Sequence, residues 1–206
     1  LNHNEQPIRL FKSNFMEFFT HISPIAILVI WIPILAVCFW LGSIHPKSNW
    51  TIMLFGFLIG LFIWTFSEYI LHRFLFHFKP HNGWQERVAF LFHGVHHAQP
   101  KVKTRLVMPP AVSIPLASLF YGFFYLVFEI ILNAGQWMYP AFAGFLTGYL
   151  IYDLMHYATH HFPMRKGIWK QLKRLHMQHH YKHPDQLFGV SSPIWDYVFS
   201  TLPREK

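Results

Sequence analysis

The sequence predicts an all-α, membrane-embedded fold: four transmembrane helices in two hairpins, with a cytosolic helical cap. Three observations lead there. Only 13% of the 206 residues are charged while 53% are hydrophobic. Four apolar runs approach the ~20 residues needed to cross a bilayer as a helix. The lysines and arginines gather in alternate connections. The charged share is about half the roughly 25% of an ordinary soluble domain. A chain this short cannot hide so much apolar surface in its own interior, so lipid must cover part of it. Residues 1–206 read as a single membrane-embedded domain.

The first run extends from Ile22 to Leu41 and is interrupted by Pro24 and Pro33. The second covers Trp50 to Leu71, with Glu68 near its end; the third covers Ala111 to Leu132, with Pro115 near its start. The fourth covers Met138 to Leu154 and carries Asp153 at its end. His45-Pro46 and Asn133-Ala134-Gly135 mark short turns, so the runs pair into hairpins. A polar segment from His72 to Pro110 separates the hairpins, and a tail from Met155 to Lys206 follows.

Sixteen of the seventeen basic residues, from Arg9 and Lys12 through Arg73, Lys103 and Arg105 to Lys170, Arg204 and Lys206, lie on one side of these runs. Only Lys47 falls in an opposite loop. The positive-inside bias therefore puts both termini and the central segment in the cytosol. The net charge of +8 follows from this loop pattern. It is not the continuous basic face that neutralises phosphates, so no nucleic-acid partner is expected. The single cysteine, Cys38, sits in an apolar run and excludes an intrachain disulfide and a cysteine-based zinc site.

Eleven of the sixteen histidines fall in four clusters, all on the side assigned to the cytosol. They are HRFLFH (His72, His77), HGVHH (His93, His96, His97), HYATHH (His156, His160, His161) and HMQHH (His176, His179, His180). Residues at i, i+3 and i+4 share a helix face, which fits the second and fourth clusters and the His156–His160 pair. His72 and His77 are five apart, so a continuous α-helix would splay them. Either the helix breaks before Pro80 or the two rings serve different metals. His161 lies about 100° around from His160 and falls outside the pattern. Neutral imidazole suits iron, zinc, copper and nickel. One ion takes at most about six donors, so ten histidines match two ions. His3, His21, His45, His81 and His183 are isolated and read as ordinary surface or core residues.

Glu68 lies at i−4 from His72 and Asp153 lies three before His156. Metal-bound imidazole usually donates its second N–H to a carboxylate, carbonyl or water, so both acids are candidates to support the ligands. HExxH, GxSxG and Gly-rich phosphate-loop motifs are absent.

On these residues the chain resembles the integral membrane fatty acid hydroxylase superfamily, which also holds sterol desaturases and carotenoid hydroxylases. The similar stretches are PIRLFKS from Pro7, EYILHRFLFHFKP from Glu68, HGVHH, RLVMPP from Arg105, GYLIYDLMHY from Gly148, HMQHH, and FGVSSPIWDYVF from Phe188. RLVMPP and FGVSSPIWDYVF resemble the fatty acid 2-hydroxylase branch. The resemblance implies two iron ions held by His72, His77, His93, His96, His97, His156, His160, His176, His179 and His180, with zinc able to replace iron in a purified sample. It implies O2 as co-substrate and a lipid acyl chain, hydroxylated at C2, as substrate. Many members carry an N-terminal cytochrome b5 domain. Here the similarity begins at Pro7, which implies an external electron donor, a separate electron-transfer protein. The expected location is a bacterial inner membrane, or the endoplasmic reticulum of a eukaryote. The alternatives are a sterol or carotenoid hydroxylase or desaturase with the same metal core, and a membrane metal transporter.

Overall fold

Helix boundaries follow from local capping chemistry. Ser23 accepts the Ala26 N–H at 3.1 Å and Pro24 occupies the first turn, which starts α2, Pro24–Ile44. Asn49 accepts the Ile52 N–H at 2.9 Å and starts α3, Trp50–Ile70. Before both comes a short helix, α1, Asn14–Phe18. After α3 come α4, Gly83–Ala89, and α5, Val95–Ala98. The Pro109-Pro110 pair opens α6, Pro110–Tyr125. The chain ends in α7, Met138–His161, α8, Gly167–Tyr181, and α9, Ile194–Val198. This is a computed structural model that describes residues 6–203; His3, Arg204 and Lys206 lie outside them. Among the described residues there is no strand.

Three helices are long and apolar enough to cross a membrane: Pro24–Ile44, Trp50–Phe76 and Lys103–Ile131. Their outward faces are largely apolar, with Ile25, Val29, Leu119 and Ile131 each about two-thirds exposed or more. Such a surface requires lipid, and the chain is an integral membrane protein.

The fourth run differs from expectation in extent. α7 runs on from Leu154 through His161, so HYATHH is the last part of the helix itself and belongs to no separate tail. Hydropathy misplaces this boundary because α7 is the central helix. Most of it is buried by α2, α3 and α6, so it can carry polar side chains that lipid would reject.

Small residues let α3 and α7 touch through their backbones. A Cβ on Gly60 would meet the Ala141 carbonyl, and one on Gly144 would meet the Phe57 carbonyl. Close approach of this kind is how helices associate where no hydrophobic drive separates them from lipid. Beneath the glycines, Trp64 packs edge-on against Phe145 at 5.1 Å and Tyr149 at 5.6 Å. The α3–α7 pair therefore fixes the platform from which His72 and His156 project. Gly144→Ala should destabilise the protein by about 1–3 kcal/mol through overpacking. Gly122→Ala, where nothing lies within 4 Å, should be neutral or slightly stabilising. Equal thermal midpoints for the two variants in detergent would contradict this packing.

Candidate metal centre

The ten histidines named from the sequence converge in two groups of five. His72, His77, His93, His97 and His179 form one; His96, His156, His160, His176 and His180 form the other. In each group, one ring nitrogen per residue lies within 4.8 Å of all the others. His161 belongs to neither group; its ring packs on Tyr157.

The division crosses the sequence motifs. HGVHH sends its i, i+4 pair, His93 and His97, to the first group and His96 to the second. HMQHH does the converse, with His176 and His180 in the second group and His179 in the first. HRFLFH and HYATH each serve one group only. Each group thus takes two rings from HRFLFH or HYATH, two from one of HGVHH and HMQHH, and one from the other.

His72 and His77 share a group because α3 ends in a π-helical turn, Leu71–Phe76, in which the His77 N–H bonds the His72 carbonyl at 3.1 Å. An i, i+5 bond brings residues five apart onto one face, and such turns concentrate at functional sites. This resolves the two alternatives left by the spacing: the rings serve the same group.

The carboxylates act one step further back than expected. Among the described residues neither Glu68 nor Asp153 accepts an imidazole N–H. The His72 Nδ1 donates to the Phe188 carbonyl at 2.6 Å and the His179 Nδ1 donates to the Gln186 carbonyl at 2.7 Å. Both carbonyls belong to one segment whose N–H groups are held by buried acids. Phe188 and Gly189 donate to Asp196 at 2.9 and 2.8 Å; Val190 and Ser191 donate to Glu68 at 2.7 and 2.8 Å. Asp153 accepts the Met108 N–H at 3.2 Å, two residues from the Leu106 carbonyl that bonds the His156 ring. Sequence reading missed these carbonyls because backbone atoms leave no residue signature. Gly189 was the one hint, since a Cβ there would collide with the Ser192 carbonyl.

These bonds fix the tautomers. A carbonyl only accepts, so Nδ1 of His72 and His179 carries the proton and Nε2 is a bare lone pair. Their Nε2 contacts, His93 at 3.1 Å from His72 and His77 at 3.0 Å from His179, are met without a metal only if His93 and His77 each donate an Nε2–H; the second group allows no such arrangement. In the second group His96 Nε2 faces both His156 Nε2 at 2.8 Å and His180 Nε2 at 2.9 Å. One N–H cannot serve both contacts. Moving protons to the other ring nitrogens fails too, because Nδ1 of His96, His176 and His180 is buried without an acceptor among the described residues. Protonation offers no escape: burial, with repulsion from neighbouring rings, pulls His77 and His97 down to about 3 and His180 to about 2.

A cation satisfies all of these nitrogens at once. Two nitrogens about 2.1 Å from one ion are about 3.0 Å apart at a right angle and about 3.4 Å apart at a tetrahedral angle. The observed 2.8–3.1 Å contacts fit the former, so each group suits an ion of more than four donors. An apolar cavity of about 230 Å³ opens against both groups, touching His93 of the first and His96 and His156 of the second. Phe76 and Tyr152 are among the aromatics at its wall.

Replacing Glu68 with alanine would leave the Val190 and Ser191 N–H groups without their acceptor and free the segment that orients His72 and His179. Loss of such supporting contacts typically costs about 10–100-fold in metal affinity. Chelator competition should show that loss for Glu68→Ala; unchanged retention would separate the acid from the metal groups.

Residues 57–201 match the family model described as fatty acid hydroxylase. The chain is 38% identical over 198 residues to dihydroceramide fatty acyl 2-hydroxylase FAH1 of Arabidopsis thaliana, covering 96% of this chain and 81% of that protein. It is 38% identical to ceramide very long chain fatty acid hydroxylase SCS7 of Saccharomyces cerevisiae, over 91% of this chain and 48% of that one. To the fatty acid 2-hydroxylase of Homo sapiens it is 36% identical, over 98% of this chain and 58% of that one. A solved structure of full-length scs7p, with only the hydroxylase domain visible, superposes with a TM-score of 0.84 at 36% identity, over 94% of this chain and 72% of that one. The chain belongs to the fatty acid hydroxylase family.

Proposed function

We propose that the two groups of histidines hold a pair of iron ions, and that the chain uses O2 to hydroxylate C2 of a fatty acyl chain, as in a sphingolipid N-acyl group. The observation that carries this reading is the convergence of ten imidazoles, the tautomers of His72 and His179 locked by backbone carbonyls, beside an apolar cavity. The names of the relatives supply the position and the substrate class. Zinc binds the same donors but has no redox chemistry, so a zinc-loaded sample would be inactive.

When bound, the metal pair supplies reductive O2 activation and the oxidant for an unactivated C–H bond. The balance is one acyl C–H, one O2, two electrons and two protons giving one C–OH and one water. Electrons come from an external donor, a separate electron-transfer protein. The chain's own residues hold the metals through ring nitrogens and keep those rings neutral. Leu106, Val107 and Phe76 surround the acyl chain beside His93, His96 and His156, and this apolar wall excludes water from the reaction.

The domain spans the membrane four times, α7 being the fourth span, with the histidine cap on the cytosolic side. The distribution of lysine and arginine supports that orientation. A cavity that touches both groups favours an enzyme over a transporter, whose ligands would lie near the bilayer midplane along a path.

Mass spectrometry of lipids from a host lacking this activity should reveal 2-hydroxyacyl lipids when the chain is expressed. Neither His96→Ala nor His179→Ala should yield product, and both should bind less metal. Full activity in either would refute the ligand assignment. A pH dependence follows as well. In the metal-free folded protein His77 and His97 sit near 3, below their ordinary 6.5. The unfolded chain therefore binds more protons across that window, and folded stability is lost as pH falls below 6.5. Chelator-treated protein should melt at lower temperature at pH 5 than at pH 7.5; the reverse order would contradict burial of neutral rings.

A further inference from the structure

The acyl cavity contains one feature that metal binding leaves unexplained. Arg105 lines it, and the Arg105 side chain is only 3% exposed. Its Nη2 donates to Glu17 at 2.5 Å and to His21 Nε2 at 3.0 Å. Its Nε and Nη1 are buried and meet no acceptor among the described residues. A guanidinium is always charged and presents its donors in a rigid fork, and leaving such donors buried and unmet is costly. Beside Arg105 the wall carries Leu10, Phe11, Phe19, Leu106 and Val107; of its acceptors, Thr20 bonds the Glu17 carbonyl and Asp153 takes the Met108 N–H, and neither meets these donors.

We infer that Arg105 is the polar anchor of the acyl substrate, its Nε and Nη1 donating to the C1 carbonyl oxygen of a neutral acyl group such as an N-acyl amide. This rests on the hydroxylase reading above and deepens it. C2 is bonded directly to C1, about 1.5 Å away. Holding the C1 oxygen therefore fixes C2 whatever the length of the tail, whereas apolar walls alone cannot tell one methylene from the next. Arg105 lies two residues into the third apolar span, Lys103–Ile131, at the end of a span, where a membrane lipid would carry its acyl carbonyls.

Glu17 sets the charge of the ligand. It pairs with Arg105 and also accepts the Leu10 and Phe11 N–H groups at 2.9 and 2.8 Å, tying the N-terminal segment down as the outer wall of the cavity. With Arg105 already neutralised, a carboxylate would bring an uncompensated charge into an apolar site. A neutral carbonyl brings none. The site thus prefers an amide-linked acyl chain to a free fatty acid.

The test compares binding of a photoreactive short-chain ceramide with that of the free fatty acid bearing the same tail. Metal-loaded protein is used without reductant, so nothing turns over. Arg105→Lys can still pair with Glu17 but lacks the fork; it should weaken ceramide binding roughly tenfold or more while metal content stays at the wild-type level. Glu17→Gln, which leaves Arg105 uncompensated, should shift preference toward the free fatty acid. Equal weakening of both probes in Glu17→Gln, or wild-type ceramide binding in Arg105→Lys, would overturn the inference. Should Arg105→Lys fail to fold, the preference of Glu17→Gln decides alone. If the hydroxylase reading were wrong, wild type would yield no oxygenated lipid, an outcome separate from this binding comparison.

Discussion

Bare nitrogen lone pairs cannot face one another across 3 Å inside a protein unless a cation lies between them. That constraint organises this molecule. The Phe188 and Gln186 carbonyls commit the Nδ1 protons of His72 and His179, and the other ring nitrogens are then left to converge. The carbonyls point inward because Glu68 and Asp196 take up four consecutive N–H groups of the same segment. Acids that looked from the sequence like partners of the histidines are instead the clamps on the backbone that orients them. Burial adds the second half of the constraint by keeping the rings neutral, since ionised imidazoles at this density would repel each other and any metal.

The membrane supplies the setting. α3 and α7 approach closely enough at Gly60 and Gly144 for backbone contact, and that rigid pair carries one histidine cluster at the end of each helix. The HGVHH and HMQHH segments then exchange rings, each giving two to one group and one to the other. This crossing ties the groups to each other: neither can be displaced without disturbing the helices that build both. The acyl cavity touches both groups, with Arg105 set in an otherwise largely apolar wall.

How much of this was legible in the sequence depends on how local each feature is. The all-helical class, three of the four expected spans and the four histidine clusters were legible in run length, charge and spacing, all properties of contiguous residues. The end of α7 was not, because helix-on-helix burial, and not lipid, surrounds its last two turns. The alignment of His72 with His77 depends on a π turn, and a spacing of five residues is equally compatible with a broken helix. The pairing of rings into groups requires contacts between segments about a hundred residues apart, as between His77 and His179. Arg105 was visible only as one more basic residue beside a span, though RLVMPP stood among the stretches similar to the family. Its separation from other lysines and arginines by burial is a property of the folded cavity.

The positions of the metals are the most direct test of the two histidine groups. Anomalous diffraction at the iron edge, from crystals of protein purified with its iron intact, locates them without reference to activity. Two peaks are predicted, one inside each group of five, each about 2.1 Å from its imidazole nitrogens. A single peak, or peaks outside the two groups, would contradict that arrangement.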